Sequence, residues 1–316
     1  MSMLEQRKVT KVGYGTIAIT IPKKWAEKLN IKPGSTVTLL FDENTQTIMI
    51  KKNNPSETED NVLIEYSDVE ELLYKVKGGY MSGIDKIVVF DKNNVKDNKI
   101  NQLVEELPGL LILSDTEHTI IRIALLDDII DIDDIIRRIK NIILATFNNI
   151  IEYLKGDEKE LINEISTLYE EIDKMYLLGL RYLNRTNKQP ANKVQITKNY
   201  IYLAIILEKL KNIERILYRI TETVSKNSMK EEIIRSHIEV LEESKCFLIN
   251  VMEILRTHNT FKIRTAVKYW RHVNEIVRKI QEMEKTRELG FMVEELNNAI
   301  NSLLEAVIAY HFSSKG

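Results

Sequence analysis

The clearest chemistry that the sequence offers is cationic, and it is concentrated in residues 1–54. This segment has nine Lys/Arg against four Asp/Glu, a balance of +5. Residues 55–130 have a balance of −9 and the remaining residues +2, within a net charge of −2 for 316 residues. Clustered Lys and Arg favour binding of a polyanion, because its counterions are released. A solvated, lysine-rich surface would have the same composition and remains the alternative.

Residues that could support catalysis or bind a metal do not fall at useful spacings. The five histidines never pair on one helix face: His118, His237, His258, His272 and His311. Cys246, the single cysteine, lies in an amphipathic pattern typical of a buried structural thiol. Gly78, Gly79 and Gly83 lack the Lys-Ser/Thr of a phosphate-binding loop, and we interpret them as loop residues. We interpret Asp85, Asp91 and His118 as solvated loop residues. We therefore expect no catalytic residue, no cofactor and no enzymatic activity.

The elements that must position the N-terminal basic residues are short. Alternating residues predict strands over 7–11, 16–21, 37–41 and 47–51, and Pro22 suits the start of a helix that ends near Leu29. Four strands and one helical turn bury little core on their own. A second chain is therefore expected to complete the module, and residues 53–60 are expected to form a linker after it.

The run KVGYGTIAITIPKKWAEKLNIKPGSTV over residues 11–37 resembles the AbrB/MazE/SpoVT swapped-hairpin domain. The hallmarks are a strand that ends in Ile-Pro, a short helix that ends in Leu and a Pro-Gly turn. The resemblance covers nearly all of residues 5–52 and implies an intertwined homodimer that binds DNA.

The same resemblance implies which residues contact DNA. It makes Arg7, Lys8 and Lys11 the best candidates, with Lys23 and Lys24 secondary. Because no predicted helix here is long enough to read several bases, phosphate contacts and shape readout should outweigh base contacts. Members of the family also act as antitoxins or protein-binding modules, and a module that only dimerises remains an alternative.

The chain as a whole is predicted to be a multidomain α+β protein. Beyond the module of residues 1–54, alternating strands and helices predict an acidic α/β domain over 61–128, with helices on one face of a small sheet. Its predicted elements are strands 62–66, 86–90, 110–113 and 119–125, and helices 68–77 and 97–106.

Residues 131–312 are predicted to form an all-α domain of two three-helix halves. Six apolar stripes at helical spacing fill this region. When the sequence is aligned with itself at a shift of 101 positions, residues 150–155 align with 251–256 and residues 169–175 with 270–276. The matched register favours a duplication, although amphipathic helices can also match by chance.

A duplicated three-helix bundle with Glu-Ile-Asp in its second helix and Glu-Arg-Ile in its third resembles the PhoU family. The acids concerned are Asp173 and Glu214. The resemblance implies a regulator of phosphate uptake whose acidic motifs hold metal ions. A class of archaeal regulators joins an AbrB-like domain to a PhoU-like one, and this chain resembles that class.

The motif residues depart from the family where metal binding would need them. Tyr218 stands at the position of the second carboxylate, Arg219 at that of a histidine, and Asn274 replaces the acid equivalent to Asp173. Hard cations and iron need several oxygen ligands, so we predict no metal site. We expect the two remaining acids to pair with bases such as Arg215 or Arg219 instead.

These observations predict a cytoplasmic, homodimeric DNA-binding regulator, of phosphate homeostasis by resemblance, with a possible protein partner on the helical domain. No apolar run approaches the roughly 20 residues of a membrane span, so no integral membrane segment is expected. The alternative is a dimeric PhoU-like adaptor that docks on a transporter or sensor without specific DNA binding.

Overall fold

The structure is a computed structural model that divides the chain into two compact units, Met1–Thr58 and Glu59–Gly316. It describes residues 5–42, 47–52, 61–66, 68–90, 103–114, 118–125, 131–156, 160–188, 200–226, 231–283 and 288–313. The predicted linker at 53–60 lies outside the described residues, as does the first part of the predicted helix at 97–106. The three-domain division stays a prediction.

The first unit is a small β module, which confirms its predicted class. Strands β1 (Thr10–Lys11) and β2 (Ile17–Ala18) pair antiparallel, α1 covers Lys23–Lys28, and β3 (Val37–Asp42) pairs antiparallel with β4 (Thr47–Lys52). Both β1 and β2 are shorter than predicted, because the two segments pair over only two residues each.

The first unit leaves most of its apolar side chains in solvent. Among the described side chains of residues 5–52, only Pro22 is buried. Ile17, Ile19, Leu39 and Phe41 are each more than half exposed. The alternation that predicted half-buried strands is present, but no described residue of this unit covers the apolar side of these strands.

The second unit begins with the α/β domain. It contains β5 (Asn61–Ile64), α2 (Val69–Met81), β6 (Lys86–Phe90), helical residues 103–106, β7 (Leu110–Ser114) and β8 (His118–Ile123). The sheet order is β5-β6-β8-β7, with β5 parallel to β6 and the other pairs antiparallel. The Asp68 side chain caps α2, whose Leu72 and Val76 pack with Ile87 and Ile121 of the sheet.

Two details of this domain correct the sequence interpretation. We expected helix 68–77 to stop at a Gly78-Gly79 loop, but both glycines lie inside α2, which continues to Met81. A Cβ on Gly79 would lie 2.9 Å from Ile87 Cδ1, so the glycine allows the helix to approach the sheet closely. His118, expected in a solvated loop, is the first residue of β8.

Gly83, just after α2, offers a test of this packing. Its φ is +78°, and a Cβ would lie 2.7 Å from Arg185 Cγ. We expect Gly83→Ala to lower the free energy of unfolding by about 2–3 kcal/mol, from backbone strain plus the clash. The matched control is Gly156→Ala, where φ is +103° but no atom lies within 4 Å. Urea titration should show the smaller loss for Gly156→Ala, and equal losses would contradict a role for the contact with Arg185.

The rest of the second unit is a helical bundle, as predicted. Its elements are α3 (Ile132–Leu154), α4 (Glu160–Lys188), α5 (Tyr200–Lys226), α6 (Glu231–Thr257), a 3-10 turn (Thr260–Lys262), α7 (Ile263–Met283) and α8 (Glu288–Ser313). One apolar core runs through all six helices. None of the described helices combines the length and apolar character needed to cross a membrane.

The burial pattern of the bundle supports the predicted duplication and extends it to the third helix of each half. At a shift of 83 positions, buried residues of α5 align with buried residues of α8. The matched pairs are Ile206 and Leu289, Leu210 and Val293, Ile213 and Leu296, and Leu217 and Ile300. The shift falls from 101 to 83 because the second half has a shorter middle helix and a shorter connection after it.

Candidate functional site

The five predicted DNA-contact residues all lie on the surface of the first unit. Arg7 pairs with the exposed Glu5, and Lys23 Nζ lies 3.9 Å from Glu27 of the same helix. Lys11 Nζ stands 5.9 Å from the ring centre of Tyr14, whose side chain is fully exposed. These contacts are solvent-screened, so each is weak and exchangeable for a phosphate.

The two remaining candidates, Lys8 and Lys24, are exposed and make no ion pair with any residue that the structure describes. No hydrogen bond or ion pair joins the five candidates to one another within the described residues. They are therefore a set of separate surface cations, and their role in DNA binding stays a prediction.

The two acids of the PhoU-like motif have different environments. Asp173 Oδ1, on α4, lies 3.0 Å from Lys211 Nζ on α5. Glu214, also on α5, is fully buried, and its Oε1 accepts a 2.6 Å hydrogen bond from the Thr146 hydroxyl. Its Oε2 is buried without a hydrogen-bond partner in the described structure. Burial raises the pKa of Glu214 to about 8, against the lowering effect of the hydrogen bond from Thr146.

We expected these two acids to pair with Arg215 or Arg219, and that prediction is wrong, because both arginines have other partners. Arg215 donates to Asn212, and Arg219 NH1 lies 3.0 Å from a carboxylate oxygen of Glu295 on α8. Tyr218, at the position of the missing carboxylate, stacks on the Tyr169 ring at 4.5 Å between centroids. Position on the helix, rather than charge alone, selects the partners here, because Glu214 faces the core and Arg215 and Arg219 face solvent.

Asn274 and Asn297 occupy the equivalent positions in the second half. Asn274 corresponds to Asp173 by the shift of 101, and the fully buried Asn297 corresponds to Glu214 by that of 83. Asn297 Nδ2 donates to Asn274 Oδ1 at 2.7 Å. The two acids of the first half thus correspond to two neutral amides in the second, and the amides are hydrogen-bonded to each other.

The described residues of the two halves assemble no set of metal ligands. Among the residues that the structure describes, no group of three His, Cys, Asp or Glu side chains is placed to hold a metal ion. The Cys246 thiol is partly buried, and burial and the charge of Glu243 raise its pKa against the lowering effect of Lys245, which favours the thiol over the thiolate.

Sequence interpretation missed a polar junction between the α/β domain and α4. Arg181, on α4, is 2% exposed, and it donates to the carbonyl oxygen of Ile84 at 2.7 Å and to Asp85 Oδ1 at 2.6 Å. Its guanidinium lies 5.2 Å from the ring centre of the buried Tyr80. Burial lowers the pKa of Arg181, and the charge of Asp85 opposes that effect.

Neighbouring residues of α4 complete the junction at the end of α2. Arg185 forms a second ion pair with Asp85, and Asn184 donates to the carbonyl oxygen of Met81 at 2.9 Å. Asp85 is therefore not the solvated loop residue that the sequence suggested. Three side chains of α4 thus donate hydrogen bonds to acceptors at the end of α2 and just after it. These bonds join the α/β domain to the bundle.

Comparisons with known proteins assign two regions of the chain. The family model described as "Antidote-toxin recognition MazE, bacterial antitoxin" matches residues 10–58. The model for the PhoU domain matches residues 136–226. The chain carries a MazE-type domain and a PhoU domain. No curated protein and no solved structure gives a significant match to the chain.

The two matches correspond to structural regions already described. The MazE-type domain lies within the first unit, and the match to the PhoU domain spans α3 to α5, the half that contains Asp173 and Glu214. The second half, α6 to α8, has the same helix order and burial pattern but lies outside the match. Its Asn274 and Asn297 show how far its polar positions have changed.

Proposed function

We propose that this chain is a cytoplasmic, homodimeric transcriptional regulator that binds DNA through its MazE-type domain and receives a signal of phosphate homeostasis through its PhoU domain. The observation that carries the proposal is the combination of the two domains in one chain. The chain acts by binding, and not as an enzyme.

Charge and exposure support the DNA-binding part. The basic balance of the chain is concentrated in residues 1–54, and Arg7, Lys8 and Lys11 are exposed at the start of that segment. α1 covers only Lys23–Lys28, too short to serve as a recognition helix. Affinity then comes chiefly from phosphate contacts, which makes it strongly dependent on salt.

Exposed apolar residues support the homodimer. A module that leaves Ile17, Ile19, Leu39 and Phe41 more than half exposed does not bury a core in one chain. A second copy supplies the missing apolar surface and doubles the number of basic side chains available to one DNA duplex. Two copies of Arg7, Lys8 and Lys11 give six cations.

The junction at Arg181 supports transmission of a signal within the second unit. Arg181, Asn184 and Arg185 lie on α4 and bind the end of α2 and Asp85. A change in α4 therefore moves or strains the α/β domain directly, since the contacts of Arg181 and Arg185 with Asp85 are partly buried and geometrically defined. The α/β domain in turn precedes α3 and follows the MazE-type domain in the chain.

The test of DNA binding is a salt series with purified protein, its own promoter region and unrelated DNA. We expect Arg7→Ala/Lys8→Ala/Lys11→Ala to lower affinity at least about 100-fold at low salt and to reduce the slope of log K against log salt by up to about 5. Both effects follow from the loss of up to six phosphate contacts in the dimer.

The control for charge is Lys226→Ala/Arg235→Ala/Arg256→Ala, which removes three exposed bases of the PhoU-like helices. We expect this variant to bind DNA as the wild type does. Equal weakening in both variants would contradict an N-terminal DNA surface. A wild type that binds no DNA even at low salt would favour the alternative, a dimeric PhoU-like adaptor that docks on a transporter or sensor protein.

A further inference from the structure

The four-stranded sheet of the α/β domain has one covered face and one open face. Buried Ile87, Val89, Ile121 and Ile123 form the covered face with α2. On the opposite face the strand register aligns Leu63 with Val88, Val88 with Ile120, and Ile120 with Leu113. One apolar residue from every strand thus forms a continuous row across the whole sheet.

This row is open to solvent in the single chain. Leu63 is 58% exposed and Leu113 52%, while Val88 and Ile120, between them, are half-buried. Leu111 adds a further 50% exposed side chain on the same face. Lys86 and Arg122 stand opposite each other on this face and border the row. Contiguous exposed apolar surface of this kind marks an interaction site more often than scattered residues do.

The size of the face indicates what kind of contact it can make. Four strands of about five residues span roughly 20 Å by 17 Å, which corresponds to an area of about 300–400 Å² per copy. A stable independent dimer buries about 800 Å² per partner. The face is therefore too small to hold two free molecules together, and it needs a partner that is already nearby.

The chain itself supplies such a partner. Eight residues separate the end of β4 at Lys52 from the start of β5 at Asn61, and eight residues span at most about 28 Å. If the MazE-type modules of two chains pair, the open face of one chain is held close to the open face of the other. Short tethers give effective concentrations in the millimolar range, at which a small apolar contact forms.

We propose that the open face of the α/β sheet packs against the same face of a second copy of the chain. The inference rests on the homodimer of the proposed function. Leu63, Val88, Ile120 and Leu113 of one copy lie over the same row of the other, in an isologous contact of two aligned sheets. The pairing extends the dimer from the MazE-type modules to the domain that is fixed on α4.

Cross-linking of the full-length protein tests this pairing. Cysteine is introduced at the centre of the face by Ile120→Cys in a Cys246→Ser background, and a short-arm bismaleimide is added. Packed sheets lie about 10 Å apart, so two copies of residue 120 should cross-link in most of the dimer. Tyr74→Cys in the same background is the control, because Tyr74 is 79% exposed on α2 and faces away from the open side.

Charge substitutions show whether the apolar row causes the cross-link. We expect Leu63→Glu/Leu113→Glu to lower the cross-linking yield at least about tenfold, because two carboxylates per copy resist burial. Tyr74→Glu/Val104→Glu makes the same charge change on the helical side and should leave the yield unchanged. Both pairs are exposed, so thermal melting should confirm folded protein in each case.

Sedimentation of the wild type separates the possible failures. A dimer that forms no cross-link at residue 120, or one whose cross-link survives Leu63→Glu/Leu113→Glu, would overturn the sheet pairing and leave the MazE-type dimer intact. A wild type that stays monomeric at high concentration would overturn both the pairing and the homodimer of the proposed function.

Discussion

Replacing Arg181 with methionine is expected to lower the free energy of unfolding of the second unit by about 3–5 kcal/mol. The substitution leaves Asp85 without one of its two cations and leaves the carbonyl oxygen of Ile84 without its 2.7 Å donor. It also removes the guanidinium from the ring of Tyr80, a residue that is fully buried. Methionine fills the volume, so the loss reports the unpaired polar groups rather than a cavity.

Urea denaturation measures this loss, and Arg138→Met is its control. Arg138 donates two hydrogen bonds to Glu171, but its side chain is 57% exposed. An exposed pair of this kind contributes less than about 1 kcal/mol. A loss for Arg181→Met no larger than that of the control would show that the junction does not hold the α/β domain on the bundle.

Most of the fold was predictable because it depends on local pattern. The stripe over α3 predicts its buried face directly, since Ile135, Ile139, Ile143 and Phe147 recur at helical spacing and are all buried. The strands of the α/β domain were likewise placed within about two residues of their observed ends, an ordinary error for element boundaries. The helix that continues through Gly78 and Gly79 was missed, because close packing on Ile87 outweighs the low helix propensity of glycine.

The polar sites were predictable only in part, because their partners are far apart in sequence. Asp85 and Arg181 are 96 residues apart and occur in different predicted domains, so no spacing connects them. The one available signal was an arginine on the apolar side of a helical stripe, next to the buried Tyr182 and Leu183. The equivalence of Asn297 and Glu214 was missed for a different reason. The shift of 101 positions aligns the first two helices of the two halves, but the third helices align at a shift of 83.

Replacing Glu214 with glutamine is expected to remove a pH dependence of stability that the wild type should show between about pH 4.5 and 8. The pKa of the buried carboxyl is raised to about 8 from an ordinary 4.5, so in this range the folded chain holds a proton that the unfolded chain releases. The free energy of unfolding therefore falls as pH rises through the window, by up to about 1.4 kcal/mol per pH unit. Below pH 4.5 both states are protonated and the difference disappears.

The isosteric Glu214→Gln variant keeps an oxygen that can accept from Thr146, 2.6 Å away in the wild type. The second half already has this chemistry, because Asn297 is a buried neutral amide at the equivalent position. We expect the variant and the wild type to have similar urea midpoints near pH 5, and the variant to be the more stable protein at pH 8.5. Glu295→Gln, on an exposed carboxyl paired with Arg219, controls for the loss of a charge and should leave the slope unchanged. Parallel stability curves for Glu214→Gln and the wild type would show that Glu214 is solvated and charged in the folded bundle.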